Sequence, residues 1–250
     1  MNILETDDYE AMSRQAANIL FAQVVLHPES VLGLATGSTP LGIYCRLAEL
    51  YQQGDVDFSR IRSVNLDEYC GLGPNDPQSY HRFMEENLFR LINIPEENTS
   101  LPDGMAVDTD AECARYDRRI QELGGIDLQL LGIGNTGHIG FNEPGCNFEM
   151  STHRVVLAPE TRRANARFFQ NPDEVPCYAI TMGIKNIMSA RKILLAVNGK
   201  GKAEVLAKAL FGPVTPQVPA SILQLHPDVT VVADRDALSR LPVGSRAVIE

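Results

Sequence analysis

No apolar stretch in the chain approaches the roughly 20 residues that cross a bilayer, so no membrane-spanning segment is expected. The opening residues, "MNILETDDYEAM", hold neither a basic n-region nor an apolar h-region, and no secretory signal is expected. Cysteine is sparse: Cys45, Cys70, Cys113, Cys146 and Cys177 are odd in number, scattered and never spaced CxxC. That pattern argues against a disulfide framework or a zinc site and fits reduced thiols in the cytoplasm. Positive charge is also short. Lys plus Arg total 22 against 32 Asp plus Glu, a net charge of -10, with no basic stripe of the kind nucleic-acid binders carry. Any anionic ligand must be held by local donors against an unfavourable overall field. The GxxxxGK[ST] and GxGxxG nucleotide loops, the HExxH metal pair and the GxSxG nucleophile elbow are all missing. Neither a metal nor a covalent nucleophile is called for.

What is present is an ordinary globular composition, 250 residues with 44% hydrophobic and 22% charged. Short apolar runs alternate with longer amphipathic stretches. Val31–Ala35, Ile61–Leu66, Ile126–Ile133, Cys177–Thr181, Lys192–Val197 and Val229–Ala233 read as strands. Several are apolar nearly throughout, as strands covered on both faces are. Helices are expected at about Asp7–Leu26, Leu41–Gln53, Ser79–Leu91, Asp108–Leu123, Lys200–Leu210 and Pro219–Leu225, the first with a Thr or Asp cap. This alternation predicts an α/β fold, a mostly parallel sheet with helices on both faces. No repeat or composition break divides it, so residues 1–241 are expected to form one domain and 242–250 a loose tail.

In open parallel sheets, ligands bind beyond the carboxyl ends of the strands. The residues just after each apolar run therefore carry the functional argument. "TGSTPLG", with Thr36, Gly37, Ser38 and Thr39, joins a strand to a helix whose free N–H groups favour an anion such as phosphate; it reads equally as a tight capped turn. "NGKGKAEVL" repeats that logic, with Lys200 and Lys202 beside a helix start, where a bound anion offsets their conflict with the helix dipole. "LDEY" places Asp67 and Glu68 at a strand end, where one carboxylate in a crevice serves as general base, or where they merely cap a helix or stand as surface acids. In "TRRANARFF", Arg163 and Arg167 share a helical face, suited to phosphate or to solvent. The hardest stretch to explain structurally is "GIGNTGHIGFNEPG", Gly132–Gly145. A carboxylate such as Glu143 near His138 raises its basicity and fixes its tautomer. Such a pair at a strand end between anion loops outlines a proton-transfer site.

Together "LATGSTPLGIY", "NLDEYCGL", "SYHRFM", "LLGIGNTGHIGFNEPG", "ANARFF" and "SILQLHP" resemble the glucosamine-6-phosphate deaminases of the glucosamine/galactosamine-6-phosphate isomerase family, from about Leu4 to Arg240 and in order. GHIGFNEP is the most specific piece; the related 6-phosphogluconolactonases share a Gly-His loop but not this Asn-Glu-Pro. The resemblance implies a Rossmann-like three-layer sandwich, no organic cofactor, and conversion of glucosamine 6-phosphate to fructose 6-phosphate and ammonia in amino-sugar catabolism. It places the proton-abstracting carboxylate at Asp67 and the ring-opening histidine at His138, with Glu143 as its partner. It places phosphate contacts at Thr36–Thr39, Arg167 and Lys202. Thr136 stands where the family usually has an acid or amide that orients the histidine. The expected partner is thus a small amino-sugar phosphate, with neither nucleic acid nor membrane, for a monomer or small homo-oligomer in the cytoplasm.

Overall fold

The computed structural model describes residues 1–166, 169, 171, 174–242 and 247–248. In chain order the strands are β1 (Asn2–Thr6), β2 (Val31–Leu34), β3 (Arg62–Asn65), β4 (Asp67–Tyr69), β5 (Thr99–Ser100), β6 (Leu128–Leu131), β7 (His153–Val156), β8 (Tyr178–Thr181), β9 (Lys192–Val197), β10 (Val229–Asp234) and β11 (Ala247–Val248). The helices are α1 (Tyr9–Leu26), α2 (Leu41–Gln52), α3 (Tyr80–Asn87), α4 (Thr109–Glu122), α5 (Pro159–Asn165), α6 (Ile184–Met188) and α7 (Ala203–Phe211). Asp8 caps α1, its carboxylate accepting from Ala11 N at 2.8 Å. The segments expected to be helical at Lys200–Leu210 and Pro219–Leu225 begin or remain as tight 3₁₀ turns, over Lys200–Lys202 and Pro219–Leu225.

Eight strands form the main sheet in the order β11-β1-β10-β9-β6-β2-β3-β5, and every pair in it is parallel. β2 and β6 are buried at every position, and β9 and β10 nearly so, which explains their unbroken apolar reading. Applied to this strand order, the right-handed rule for parallel crossovers assigns α1 and α2 to one face and α4 and α7 to the other. From β2 the chain runs outward to β3 and β5, then returns to β6 on β2's other side and continues to β9 and β10. The strand order thus reverses between β2 and β6, and a crevice is expected beyond their carboxyl ends.

Three differences from the sequence reading stand out. Cys177–Thr181 does not join the main sheet. Its strand, β8, is the centre of a small antiparallel sheet, β4-β8-β7, in which Asp67 pairs with Thr181 and His153 pairs with Thr181 from the other side. The "DEY" expected as a strand-end loop is itself a strand of that sheet. Finally, within the segment expected to be a loose tail, Ala247–Val248 pairs with Leu4 and Glu5 of β1.

Candidate active site

Three loops, those after β2, β6 and β9, meet the small sheet at the reversal point, and hydrogen bonds tie them together. Thr39 Oγ1 donates to Asn198 Oδ1 at 2.9 Å, joining the loops after β2 and β9. Lys202 Nζ donates to Asn135 Oδ1 at 2.6 Å, joining the loop after β9 to that after β6. Phe141 N donates to Thr181 Oγ1 at 3.0 Å, tying the β6 loop to the small sheet. The β9 loop is anchored from beneath, Gly199 N donating to both carboxylate oxygens of Asp234, at 3.0 and 2.9 Å.

The β6 loop folds back on itself to gather three side chains. His138 Nδ1 lies 3.2 Å from Glu143 Oε2 and 2.9 Å from Thr136 Oγ1, and Thr136 donates to the same Glu143 oxygen at 3.0 Å. Glu143's other oxygen accepts a hydrogen bond from Thr161 on α5. Burial pushes the Glu143 carboxyl up, but His138 and the two threonine hydroxyls outweigh it and hold it below the ordinary carboxylate value. With Nδ1 engaged by the carboxylate, Nε2 is the ring atom left for a ligand. That nitrogen lies over Gly134: a Cβ built there would sit 2.0 Å from it, so any larger residue would displace the ring.

Asp67 occupies the opposite environment. It is 6% exposed, and among the described residues no hydrogen-bond donor reaches its carboxyl. Burial, reinforced by the neighbouring Glu68 charge, raises it to about 8. Gly140 brings the histidine loop against it. At φ 55° this glycine is left-handed, and a Cβ there would lie 3.5 Å from Asp67 Oδ2 and 2.9 Å from Thr181 Oγ1. Around Asp67 stands an aromatic wall: Tyr69 and Tyr80 lie 4.8 Å apart by ring centroids, and Tyr80 stacks on Phe141 at 6.1 Å. The Tyr80 hydroxyl also hydrogen-bonds Thr36, linking the wall to the β2 loop.

Residues 7–232 match the family described as glucosamine-6-phosphate isomerases/6-phosphogluconolactonase. The chain belongs to this family. A glucosamine-6-phosphate deaminase of Lachnoclostridium phytofermentans is 62% identical over 232 residues, covering 93% of this chain and 98% of that one. Another, from a Geobacillus strain, is 54% identical over 248 residues, covering 99% of each. Among solved structures, a monomeric glucosamine-6-phosphate deaminase matches with a TM-score of 0.94 at 48% identity, over 96% of this chain and all of that one. A 6-phosphogluconolactonase from Trypanosoma cruzi matches at 0.77 with 18% identity over 96% of each chain, a likeness of fold alone.

In this isomerase/lactonase family member, Thr36–Thr39, Thr136, His138, Glu143 and Lys202 fall on three linked loops beyond the carboxyl ends of β2, β6 and β9, and Asp67 falls on β4 of the small sheet tied to them. Arg167 lies outside the described residues. Its neighbours on α5 have local partners: Arg163 pairs with Glu160 at 2.9 Å and Arg162 donates to Val175 O at 2.9 Å. Pro40 stands at the N-cap of α2 and no side chain caps the helix, so the reading of "TGSTP" as a capped turn fails; instead Tyr9 OH accepts from Gly42 N and donates to Ser38 O. The two carboxylates of "LDEY" separate cleanly. Strand alternation sends Glu68 to the far side. There it is fully buried, accepting from the backbone N–H of Tyr69, Tyr80 and His81 while the His81 ring nitrogen lies 2.9 Å away. Glu68 thus anchors the start of α3 and with it Tyr80. It takes the helix-capping alternative that the sequence left open for "LDEY", whereas sequence reasoning missed Tyr80 and Thr161. Thr161 opens the "TRRANARFF" stretch, six residues before Arg167, but nothing in its spacing ties it to Glu143.

Proposed function

We propose that the chain is a glucosamine-6-phosphate deaminase, converting glucosamine 6-phosphate and water to fructose 6-phosphate and ammonia. Relatives of that name at 62% and 54% identity over nearly the whole chain support the activity. The observation that carries the chemistry is Asp67: a buried, donor-poor carboxyl raised to about 8 and set across Gly140 from the His138 loop. Lactone hydrolysis has no use for a base over C2, whereas aldose–ketose isomerisation requires one.

The phosphate is held by the uncapped start of α2 with Thr36, Gly37, Ser38 and Thr39, and by Lys202 and Arg167. An acidic protein needs such local donors for a dianion. His138, oriented by Glu143 and Thr136, takes the proton of the C1 hydroxyl and returns one to the ring oxygen, so the pyranose opens to an aldehyde. Asp67 as carboxylate removes the C2 proton, giving a cis-enolamine, and delivers a proton to C1. The resulting C2 imine is hydrolysed by water, and ammonia leaves. Two bases are needed because one imidazole cannot stand over both O1 and C2. A group that titrates near the working pH both accepts and returns a proton readily. The enzyme is read as a monomer, in keeping with its monomeric structural neighbour, and as cytoplasmic; none of its helices is long and apolar enough to cross a membrane among the described residues.

The test is a coupled assay for fructose 6-phosphate with glucosamine 6-phosphate as substrate, run beside a lactonase assay with 6-phosphogluconolactone. Turnover in the first and none in the second is expected. The reverse pattern overturns the reading.

A further inference from the structure

The 132–145 loop does not hold Glu143 by itself. The carboxylate has two oxygens, and the loop's own residues, Thr136 and His138, engage only Oε2. Oε1 takes its hydrogen bond from Thr161 Oγ1, on a different segment of chain. Thr161 is buried, and its β-branched side chain has few rotamers open to it in a helix. Pro159 fixes the first turn of α5 beneath it. One helical turn further on, Asn165 Nδ2 donates to the Tyr69 hydroxyl at 2.8 Å, in the wall beside Asp67. Residues four apart share a helix face, so the same face of α5 reaches toward both proton-transfer groups.

A carboxylate fixed at one oxygen can still turn about its Cγ–Cδ bond and swing that oxygen off its partner. Fixing the second oxygen sets the plane. We propose that Thr161 is a positioning residue for ring opening: its hydroxyl holds the Glu143 carboxylate so that Oε2 stays on His138 Nδ1 and Nε2 faces the sugar. The inference rests on the reading of His138 and Glu143 as the ring-opening pair. Its hydroxyl donates to Glu143, and it acts through that residue.

Thr161→Val keeps shape and removes the hydroxyl, while Thr161→Ser keeps the hydroxyl. A lost hydrogen bond to a charged group predicts a fall in kcat of about 10–100-fold for the valine variant, with KM little changed. The serine variant should recover most of that rate. In a Glu143→Gln background the valine change should add little, because the group it positions is gone; residues acting through one another are not additive. Thermal melting of each variant reports folding, and Thr161→Ala makes the same comparison if the valine variant does not fold. Near-normal kcat in Glu143→Gln alone overturns the ring-opening pair and this proposal with it. An impaired Glu143→Gln beside a valine variant of parental kcat overturns the proposal only. So does a valine cost that is equal in both backgrounds.

Discussion

Replacing Asp67 by asparagine should stabilise the protein while abolishing its activity, and the gain should depend on pH in a defined way. Asp67 is raised from 3.8 to about 8 because it is buried and stands beside the Glu68 charge. A folded-state value above the unfolded one means that, between those two values, the folded protein keeps a proton the unfolded chain has released. Stability contributed by this group is complete below about 3.8 and is lost as pH rises, until the loss is complete above about 8. The slope across that window is about 1.4 kcal/mol per pH unit. Asparagine is of the same size and has no such equilibrium. Going from about pH 5 to about pH 7, the parent should lose about 2.7 kcal/mol relative to Asp67→Asn. For a chain of this length that is a widening of about 5–10 °C in the difference between their melting temperatures. Differential scanning calorimetry of both proteins at the two pH values measures it, and groups common to both cancel in the difference. Loss of a general base should lower kcat by about 10²–10⁴-fold in the same variant. A melting-temperature difference that stays constant with pH refutes the raised, buried state of Asp67, whatever happens to activity.

Four further outcomes follow from the same geometry. Because the free enzyme's base must be ionised, kcat/KM should climb as pH rises through about 8; a limb in the ordinary carboxylate range instead assigns it to another group. Gly134→Ala puts a Cβ where His138 Nε2 now lies, and a displacement of that size should cost about 10²-fold in kcat, with phosphosugar affinity retained in a binding titration. Lys202→Ala and Arg167→Ala should raise KM more than they lower kcat, as expected of a phosphate held equally in ground and transition states; unchanged affinity for a phosphosugar in both removes them from the phosphate site. Thr136→Ala should cost less than Glu143→Gln, since the Thr136 hydroxyl supplies a neutral hydrogen bond of net about 0.5–1.5 kcal/mol; steady-state kinetics of the two variants decide it, and the opposite order makes Thr136 the principal partner of His138.

Much of this architecture is legible in the sequence because parallel strands buried on both faces leave an unmistakable trace. "VLGLA", "IDLQLLGI" and "KILLAV" all land in the main sheet within a few residues of their expected bounds. β1 leaves no such trace: of "NILET" only Ile3 is buried, so its apolar count is too low to mark a strand. β4 and β7 are short, and β7 alternates half-buried with exposed residues. Their sheet is made by pairing across more than a hundred residues of chain, between Asp67 and Thr181, which local pattern cannot reveal. The site divides the same way. His138, Glu143 and Thr136 lie within eight residues of one another, and their association is written in one loop. Thr161 and Tyr80 reach the site only through tertiary contacts, and their spacing carries no sign of it.

The three acidic groups near the crevice show how one small region serves opposite needs. Glu143 receives hydroxyls and an imidazole, and they hold it ionised. Glu68 receives three backbone N–H groups and the His81 ring, and it secures the start of α3. Asp67, adjacent to Glu68, receives no donor from the described residues, and the Glu68 charge beside it pushes it further toward the protonated form. Carboxyls whose surroundings drive them apart in this way are how a site assigns distinct proton-transfer roles to chemically similar side chains. On the proposed reading, Glu143 stays charged to orient His138, while Asp67 moves a proton between neighbouring carbons. A carboxylate left donor-free gives up folding stability, a cost commonly found at sites selected for activity. Supplying Asp67 with a donor should therefore stabilise the fold and, by lowering its proton affinity, weaken it as a base.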